Sequence, residues 1–305
     1  MPLTTTELCD ILPVIVDLAK EAGRVIRKAY DHGKSADTKE GNSTDLVTET
    51  DQEVEKLIFG RLRVTYPKHG FIGEESVAAG EKAILTDKPT WIVDPIDGTT
   101  NFVHGYPFVC VSIALVETQR SVLGVIYNPI LDELYTAITG KGAFMNDKAL
   151  PLRSPSPVPT LDKALVSAEF GSDRSEAAMK VKLEGMNGLT AASAGAAHGL
   201  RAIGSAAMNL CLVARGSSDV YWECGVHVWD VAAGILILQE AGGRVFHGAG
   251  HRSRPGAPLE PLDLMARKFL AIRGGDSPSA TKAQEALAMQ VLQYLDDYPI
   301  PRDNA

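Results

Sequence analysis

An apolar segment that runs straight into crowded carboxylates constrains this chain more than any other feature. Trp91-Ile92-Val93 leads without a break into Asp94-Pro95-Ile96-Asp97-Gly98-Thr99-Thr100-Asn101-Phe102. The first three residues suit a buried strand, and the proline and glycine end it in a turn that holds two aspartates close together. Such neighbours repel each other, and a hard cation makes their crowding easy to explain. Two further acidic clusters stand far off in sequence, Gly73-Glu74-Glu75-Ser76 and Trp229-Asp230-Val231-Ala232-Ala233-Gly234. All three fall near expected element ends, where loops carry chemistry on a rigid scaffold.

Each cluster has an ordinary reading when taken singly. Asp-Pro and Asp-Gly are common turn dipeptides, the segment around Glu74 suits a solvated loop, and Asp230 ahead of an apolar run suits a helix N-cap. Their combination favours one metal site. The donors are carboxylates and a backbone carbonyl, with no histidine or cysteine at ligand spacing, which suits magnesium or manganese and not zinc. Magnesium held by a few carboxylates shares its remaining positions with water and phosphate oxygens, so phosphoryl chemistry is the expectation. Several acidic ligands could hold two ions, one activating a water and one stabilising the leaving oxygen. The chain has no Walker-type glycine-lysine loop, which argues against nucleotide-driven phosphotransfer.

Composition adds limits. The 305 residues suffice for a sizeable core, and the net charge of -8 leaves no electrostatic footprint for nucleic acid. Bound cations would invert the local field at the site, so the acidic average does not exclude a phosphate ester. Cys9, Cys110, Cys211 and Cys224 are scattered with no C-x-x-C pair and read as thiols of a reducing compartment. The N-terminus lacks a basic region of the signal-peptide kind, and the longest apolar stretch, near 231–238, is too short to span a bilayer. A cytoplasmic enzyme with no membrane partner is the expectation. The sequon Asn42-Ser43-Thr44 then reads only as a polar loop.

Periodicity predicts helices over 7–30 and 50–66, the second burying Val54, Leu57, Ile58 and Leu62 and closed by Pro67. Strands are expected at 71–72, 91–93, 109–116, 122–127 and 133–138, the last three in an antiparallel run. Residues 151–159 hold four prolines and two serines and mark the expected junction between halves. Beyond it come a strand at 164–168, a helix at 176–186, a strand at 200–203 and a helix at 205–214. A further helix opens at Trp229-Asp230 and stops at Gly242-Gly243, and 247–261 reads as a loop.

The chain resembles the inositol monophosphatases, of the magnesium-dependent, lithium-sensitive phosphatase superfamily. The match rests on Phe71-Ile72-Gly73-Glu74-Glu75-Ser76, the run 91–102, Gly204-Ser205-Ala206-Ala207, and Glu223 through Trp229-Asp230 to Glu240-Ala241-Gly242-Gly243. These anchors span about residues 45–269. The resemblance implies a mixed α/β fold, a layered α-β-α-β-α sandwich, in one domain whose halves of about 1–150 and 160–305 enclose the metal site. It implies that Glu74, Asp94 and the Ile96 carbonyl hold a first Mg2+, and that Asp94, Asp97 and Asp230 hold a second; a third ion is left open. It implies that Thr99, with Asp51, orients and deprotonates the attacking water. For Asp51 the reading without a family is an exposed charge in the helix repeat.

Further roles follow from the same resemblance. Gly98 and Thr99 would face the phosphate, Ile96 and Asp97 would also contact the substrate, Gly204, Ser205 and Ala206 would lie along its ring, and Glu223 and Asp230 would accept hydrogen bonds from its hydroxyls. The implied reaction is hydrolysis of myo-inositol monophosphate, with Li+ inhibition and a homodimeric assembly. His104, His198, His227 and His247 form no recognisable triad, and Trp91 and Trp229 read as core flanks. Two departures stand out: Lys39 is displaced by one residue from the family's usual lysine, and the 247–261 loop is long. The alternatives are a related sugar-phosphate or nucleotide 3'-phosphatase, or a partner-binding protein with demoted catalysis. Thr100-Asn101-Phe102 favours the monophosphatase branch, and the intact acidic set argues against loss of catalysis.

Overall fold

Five layers result from where each apolar face finds a partner. The computed structural model describes residues 2–32, 37–38, 46–152, 156–276 and 279–303. Lys39, the sequon at Asn42 and residues 153–155 of the proline-rich junction lie outside the described residues. The first half runs α1 (Thr5–His32), β1 (Asp37–Thr38), β2 (Leu46–Val47), α2 (Glu49–Thr65), β3 (Gly70–Gly73), α3 (Glu74–Ala78), β4 (Thr90–Asp97), α4 (Thr99–His104), β5 (Cys110–Glu117), β6 (Arg120–Asn128), β7 (Glu133–Ile138), β8 (Ala143–Met145) and β9 (Lys148–Ala149). The second runs β10 (Leu165–Ala168), α5 (Glu176–Thr190), β11 (Gly199–Arg201), α6 (Ala206–Ala214), β12 (Val220–Cys224), α7 (Val228–Glu240), β13 (Arg244–His247), β14 (Lys268–Ile272) and α8 (Ala280–Leu292).

Strands β3 to β9 form a seven-stranded sheet in sequence order, and only its first pair is parallel. A five-stranded sheet has the order β11-β10-β12-β14-β13, with β10 parallel to both neighbours. Strands β1 and β2 pair separately. α1 buries Leu8, Ile11, Ile15, Leu18, Ala22 and Ile26 at three- and four-residue spacing, and α2 buries Val54, Ile58 and Leu62. Together they cover one face of the larger sheet. Leu57 is only partly buried and packs at the edge of that cluster.

α7 is apolar all round from Val231 to Leu238, and a helix of that kind must be enclosed. It fills the middle layer beside α6, against the other face of the larger sheet. Gly124 on β6 allows this approach, since a Cβ there would stand 2.9 Å from the Ala233 carbonyl oxygen. At the far end Gly243 N–H bonds the Leu238 carbonyl at 2.9 Å, the helix stop expected at Gly242-Gly243. α5 and α8 cover the outer face of the five-stranded sheet. The architecture is therefore the layered α-β-α-β-α sandwich.

Several elements differ from expectation. α7 starts at Val228, with His227 as its N-cap residue, so Asp230 is the third helical residue and not the cap. α5 continues to Thr190, and the strand expected at 200–203 is Gly199–Arg201. Strands β12 and β14 are buried at every residue, so neither shows the alternation by which a half-exposed strand is recognised. α8 has a thin apolar stripe of Leu287, Ala288, Val291 and Leu292 confined to its second half. Among the described residues no helix is long and apolar enough to cross a membrane.

Candidate active site

Asp94 and Asp97 stand three residues apart, and in an unbroken strand they would point to opposite faces. The pairing of β4 with β5 sets Asp94 against Ser112 and Asp97 against Cys110. Pro95 and Ile96 thus oppose Val111 alone. This bulge brings both carboxylates to the face covered by α6 and α7, at a proline that has no N–H to give the ladder. Ile96 sends its side chain the other way, into the cluster beneath α1 and α2.

Two helix starts complete the acidic group. Ser205 Oγ donates to Asp97 Oδ2 at 2.6 Å, and Ala207 N–H donates to the same oxygen at 2.7 Å, so Asp97 sits at the start of α6. At the start of α7, His227 N–H donates to Asp230 Oδ2 at 2.5 Å. Ligand oxygens of Asp94, Asp97 and Asp230 all lie within 4.8 Å of one another. Burial, followed by the charges of Glu74, Asp97 and Asp230, holds Asp94 well above the usual carboxylate range. Burial and the charge of Asp230 push Asp97 up to about 7, against hydrogen bonds from Ser205, Ala207 and Ala206. Burial also raises Asp230.

Beside this group, Thr99 Oγ stands 3.3 Å from Asp51 Oδ1 and 3.1 Å from the Ile96 carbonyl oxygen. Asp51 is fully buried, so the exposed-charge reading of this residue is wrong. Its other oxygen accepts from the Thr48 N–H at 3.0 Å and from the Thr48 hydroxyl. Glu74 opens α3, whose start is fixed from α2: Glu55 accepts from Glu75 N–H at 2.8 Å and from Ser76 N–H at 2.9 Å.

A cavity of about 840 Å³ opens over the site. Glu74, Asp97, Gly98, Thr99, Gly204, Ser205, Ala206, Glu223 and Asp230 all line it. Asp51, Asp94 and Ile96 lie beneath, each at most 1 % exposed. Gly98, at φ +90°, begins α4, and a Cβ there would come 2.7 Å from the Phe108 carbonyl oxygen. Glu223 is buried on β12, accepts from the Tyr221 hydroxyl, and is raised well above its ordinary range by burial and then by Glu169.

A family model described as the inositol monophosphatase family matches residues 7–296. The chain belongs to that family. It is 41% identical to human inositol monophosphatase 1 over 289 residues, covering 95% of each chain. It is 45% identical over 261 residues to inositol monophosphatase 3 of Solanum lycopersicum, covering 85% of this chain and 91% of that one. Among solved structures, an inositol monophosphatase from Anabaena superposes with a TM-score of 0.74 at 29% identity, covering 96% of this chain and 98% of that one. The extragenic suppressor protein suhB from Bartonella henselae gives a TM-score of 0.71 at 33% identity, covering 91% and 98%.

The family uses divalent metal, and the residues here fit such an ion. Asp94 Oδ1 is buried without a hydrogen-bond partner, the three carboxylates of the acidic group offer oxygen ligands, and the raised carboxylates need positive charge to ionise together.

Other residues also build the site: Asn101 belongs to the motif already singled out in the sequence, while Glu169, Lys182 and Glu55 do not. Asn101 Nδ2 donates to the Phe108 carbonyl at 2.8 Å and the Ile203 carbonyl at 2.7 Å, tying α4 to the segment before α6. Glu169 Oε1 accepts from Ile203 N–H at 2.6 Å, Gly204 N–H at 3.0 Å and Asn209 Nδ2 at 2.8 Å, which fixes Gly204 in the cavity wall. Lys182, 1 % exposed, donates to the carbonyls of Phe170 at 2.5 Å and Asp173 at 3.2 Å and so holds the adjoining wall. For Glu55 a signal exists: with Asp51 it continues the stripe of Ile58 and Leu62, where an acid on a buried helix face needs a polar partner.

Proposed function

We propose that this chain is a magnesium-dependent phosphomonoesterase that hydrolyses myo-inositol monophosphate to inositol and inorganic phosphate. The observation that carries the reading is the Asp94, Asp97 and Asp230 group, its first two members buried and Asp94 with an unpartnered oxygen, at the floor of a cavity walled by Thr99 and Glu223. On this reading Glu74, Asp94 and the Ile96 carbonyl would hold one Mg2+, and Asp94, Asp97 and Asp230 a second. When bound, the ions supply Lewis acidity and the positive charge that keeps these carboxylates ionised.

The chain's own groups do the rest. Thr99 orients the attacking water and relays its proton toward Asp51, which two hydrogen bonds from Thr48 hold as an acceptor. Backbone N–H groups of Gly98 and Thr99 bind phosphate oxygens. Glu223 and Asp230 accept hydrogen bonds from ring hydroxyls, while Gly204, Ser205 and Ala206 lie along the ring. Ser205 does so through its backbone and Cβ, because its hydroxyl is already given to Asp97. The halves 1–150 and about 160–305 act as one catalytic unit, a reading supported by cavity walls drawn from both.

Family membership is what supports inhibition by Li+ and a homodimer, with a third ion left open; the net charge of -8 and the unpaired, scattered cysteines support a cytoplasmic setting and no nucleic-acid partner. Phosphate release with magnesium, measured on inositol 1-phosphate, galactose 1-phosphate, a nucleotide 3'-phosphate and fructose 1,6-bisphosphate, tests the assignment. Preference for inositol 1-phosphate is expected. Preference for another ester moves the chain to a sister activity, and no release from any leaves a partner-binding protein.

A further inference from the structure

The helix that carries Asp230 is capped by a residue from the far end of the sequence. Helix starts leave backbone N–H groups without partners inside the helix. At α7 the His227 N–H is taken by Asp230 Oδ2 at 2.5 Å, and the Val228 N–H by Asp303 Oδ2 at 2.8 Å. The other Asp303 oxygen lies 2.6 Å from His227 Nδ1, and Arg267 reaches His227 Nε2 at 3.0 Å. The tautomer that satisfies both contacts has Nδ1–H donating to Asp303 and Nε2 accepting from Arg267. The imidazole so held stacks on Trp229, with centroids 4.4 Å apart and planes 5° apart, and lines the cavity.

The Asp303 side chain is 2 % exposed, although the segment around it is coil. Its own N–H bonds the Met265 carbonyl at 3.3 Å, and Arg267 Nε stands 3.6 Å from its carboxylate. Burying a carboxylate this fully is costly unless it is paired, and its partners His227 and Val228 belong to the turn that presents Asp230.

We infer that Asp303 is a positioning residue for Asp230, an inference that rests on the metal-dependent reading above. Asp230 meets two demands: Oδ2 closes the first turn of α7, and the carboxylate must still face Asp94 and Asp97. Asp303 satisfies the second N–H of that turn. Without it the Val228 N–H has no acceptor, and Asp230, already bonded one residue away, is drawn onto the helix end and away from the acidic group.

Manganese binding to the chelator-stripped full chain, counted by electron paramagnetic resonance, reads this directly. Asp303→Ala should weaken one class of Mn2+ site by about fivefold to tenfold and leave the other. Asp303→Asn, which keeps an acceptor for Val228 N–H, should recover part of the loss and covers the case in which the alanine variant folds poorly. The magnesium needed for half-maximal phosphate release should rise in proportion, with the KM for inositol 1-phosphate at saturating magnesium unchanged. Unchanged Mn2+ constants with only a lower melting temperature make Asp303 merely structural and overturn the inference alone. Failure of the wild-type chain to bind Mn2+ overturns this inference and the metal-dependent reading together.

Discussion

Stripped of metal, the protein should lose stability as pH rises, the reverse of what paired surface carboxylates do. An acid whose folded pKa lies above its unfolded value keeps its proton longer in the folded state. Between the two values the folded protein holds more protons, and stability falls as pH increases. Asp97 goes from the ordinary 3.8 to about 7 on folding. That rise of about three pH units, at about 1.4 kcal/mol each, is worth roughly 4 kcal/mol, fully present below pH ~4 and gone above pH ~7. Asp94, Asp230, Glu55, Glu169 and Glu223 are also raised by burial and act in the same sense. His69, His247 and His251 are lowered by burial and oppose them, because a neutral buried imidazole gains stability as pH rises toward 6.5.

Comparison with Asp97→Asn removes the histidine contribution, since both proteins carry it. Between about pH 5 and about pH 8 roughly 2.6 kcal/mol of the Asp97 contribution is lost, so thermal melts of chelated protein should fall for the wild type by roughly 4 °C more than for the variant. Added magnesium binds the folded, ionised carboxylates and should raise the wild-type melting temperature most at the alkaline end. Parallel pH profiles for wild type and Asp97→Asn, or a magnesium gain independent of pH, would refute the claim that this buried group is held short of positive charge.

Three further outcomes are expected. Thr99→Ala should lower kcat by about 100-fold or more with little change in KM if Thr99 orients the attacking water as proposed; a KM effect alone reassigns it to phosphate binding. Glu223→Gln should reduce kcat/KM on inositol 1-phosphate by about tenfold while sparing glycerol 2-phosphate, and equal losses on both make Glu223 structural. Lithium, close in size to magnesium with half its charge, should compete best at the Asp94, Asp97 and Asp230 site while product phosphate is still bound. Inhibition deeper than with equal sodium, and deepening as inositol 1-phosphate is raised, is expected; relief by substrate contradicts it.

The sequence exposed those parts of the molecule in which local pattern and final environment agree. α1 and α2 face solvent on one side, so their stripes at Ile11, Ile15, Ile58 and Leu62 stand out against polar neighbours. The run from Asp94 to Thr99 was legible because its turn residues and its acids fall in one segment. Their common facing was not, since it depends on the bulge opposite Val111. β12 and β14 hid because each is only five residues long and lacks period two, whereas β4 and β5, also buried throughout, run to eight residues. Glu169, Lys182 and Asp303 hid for another reason: each acts through backbone groups distant in sequence, and a single charged residue carries no mark of the N–H or carbonyl it will meet.

The central claim is that Asp94, beside Asp97 and Asp230, holds the ions on which phosphate-ester hydrolysis depends, and Asp94→Asn tests it most directly. Phosphate release from inositol 1-phosphate is measured against magnesium for both proteins, with circular dichroism to establish that the variant is folded. The account predicts saturable magnesium activation in the wild type, and a folded variant slower by on the order of 1,000-fold at every magnesium concentration. A folded Asp94→Asn protein with wild-type turnover and an unchanged magnesium profile would contradict it.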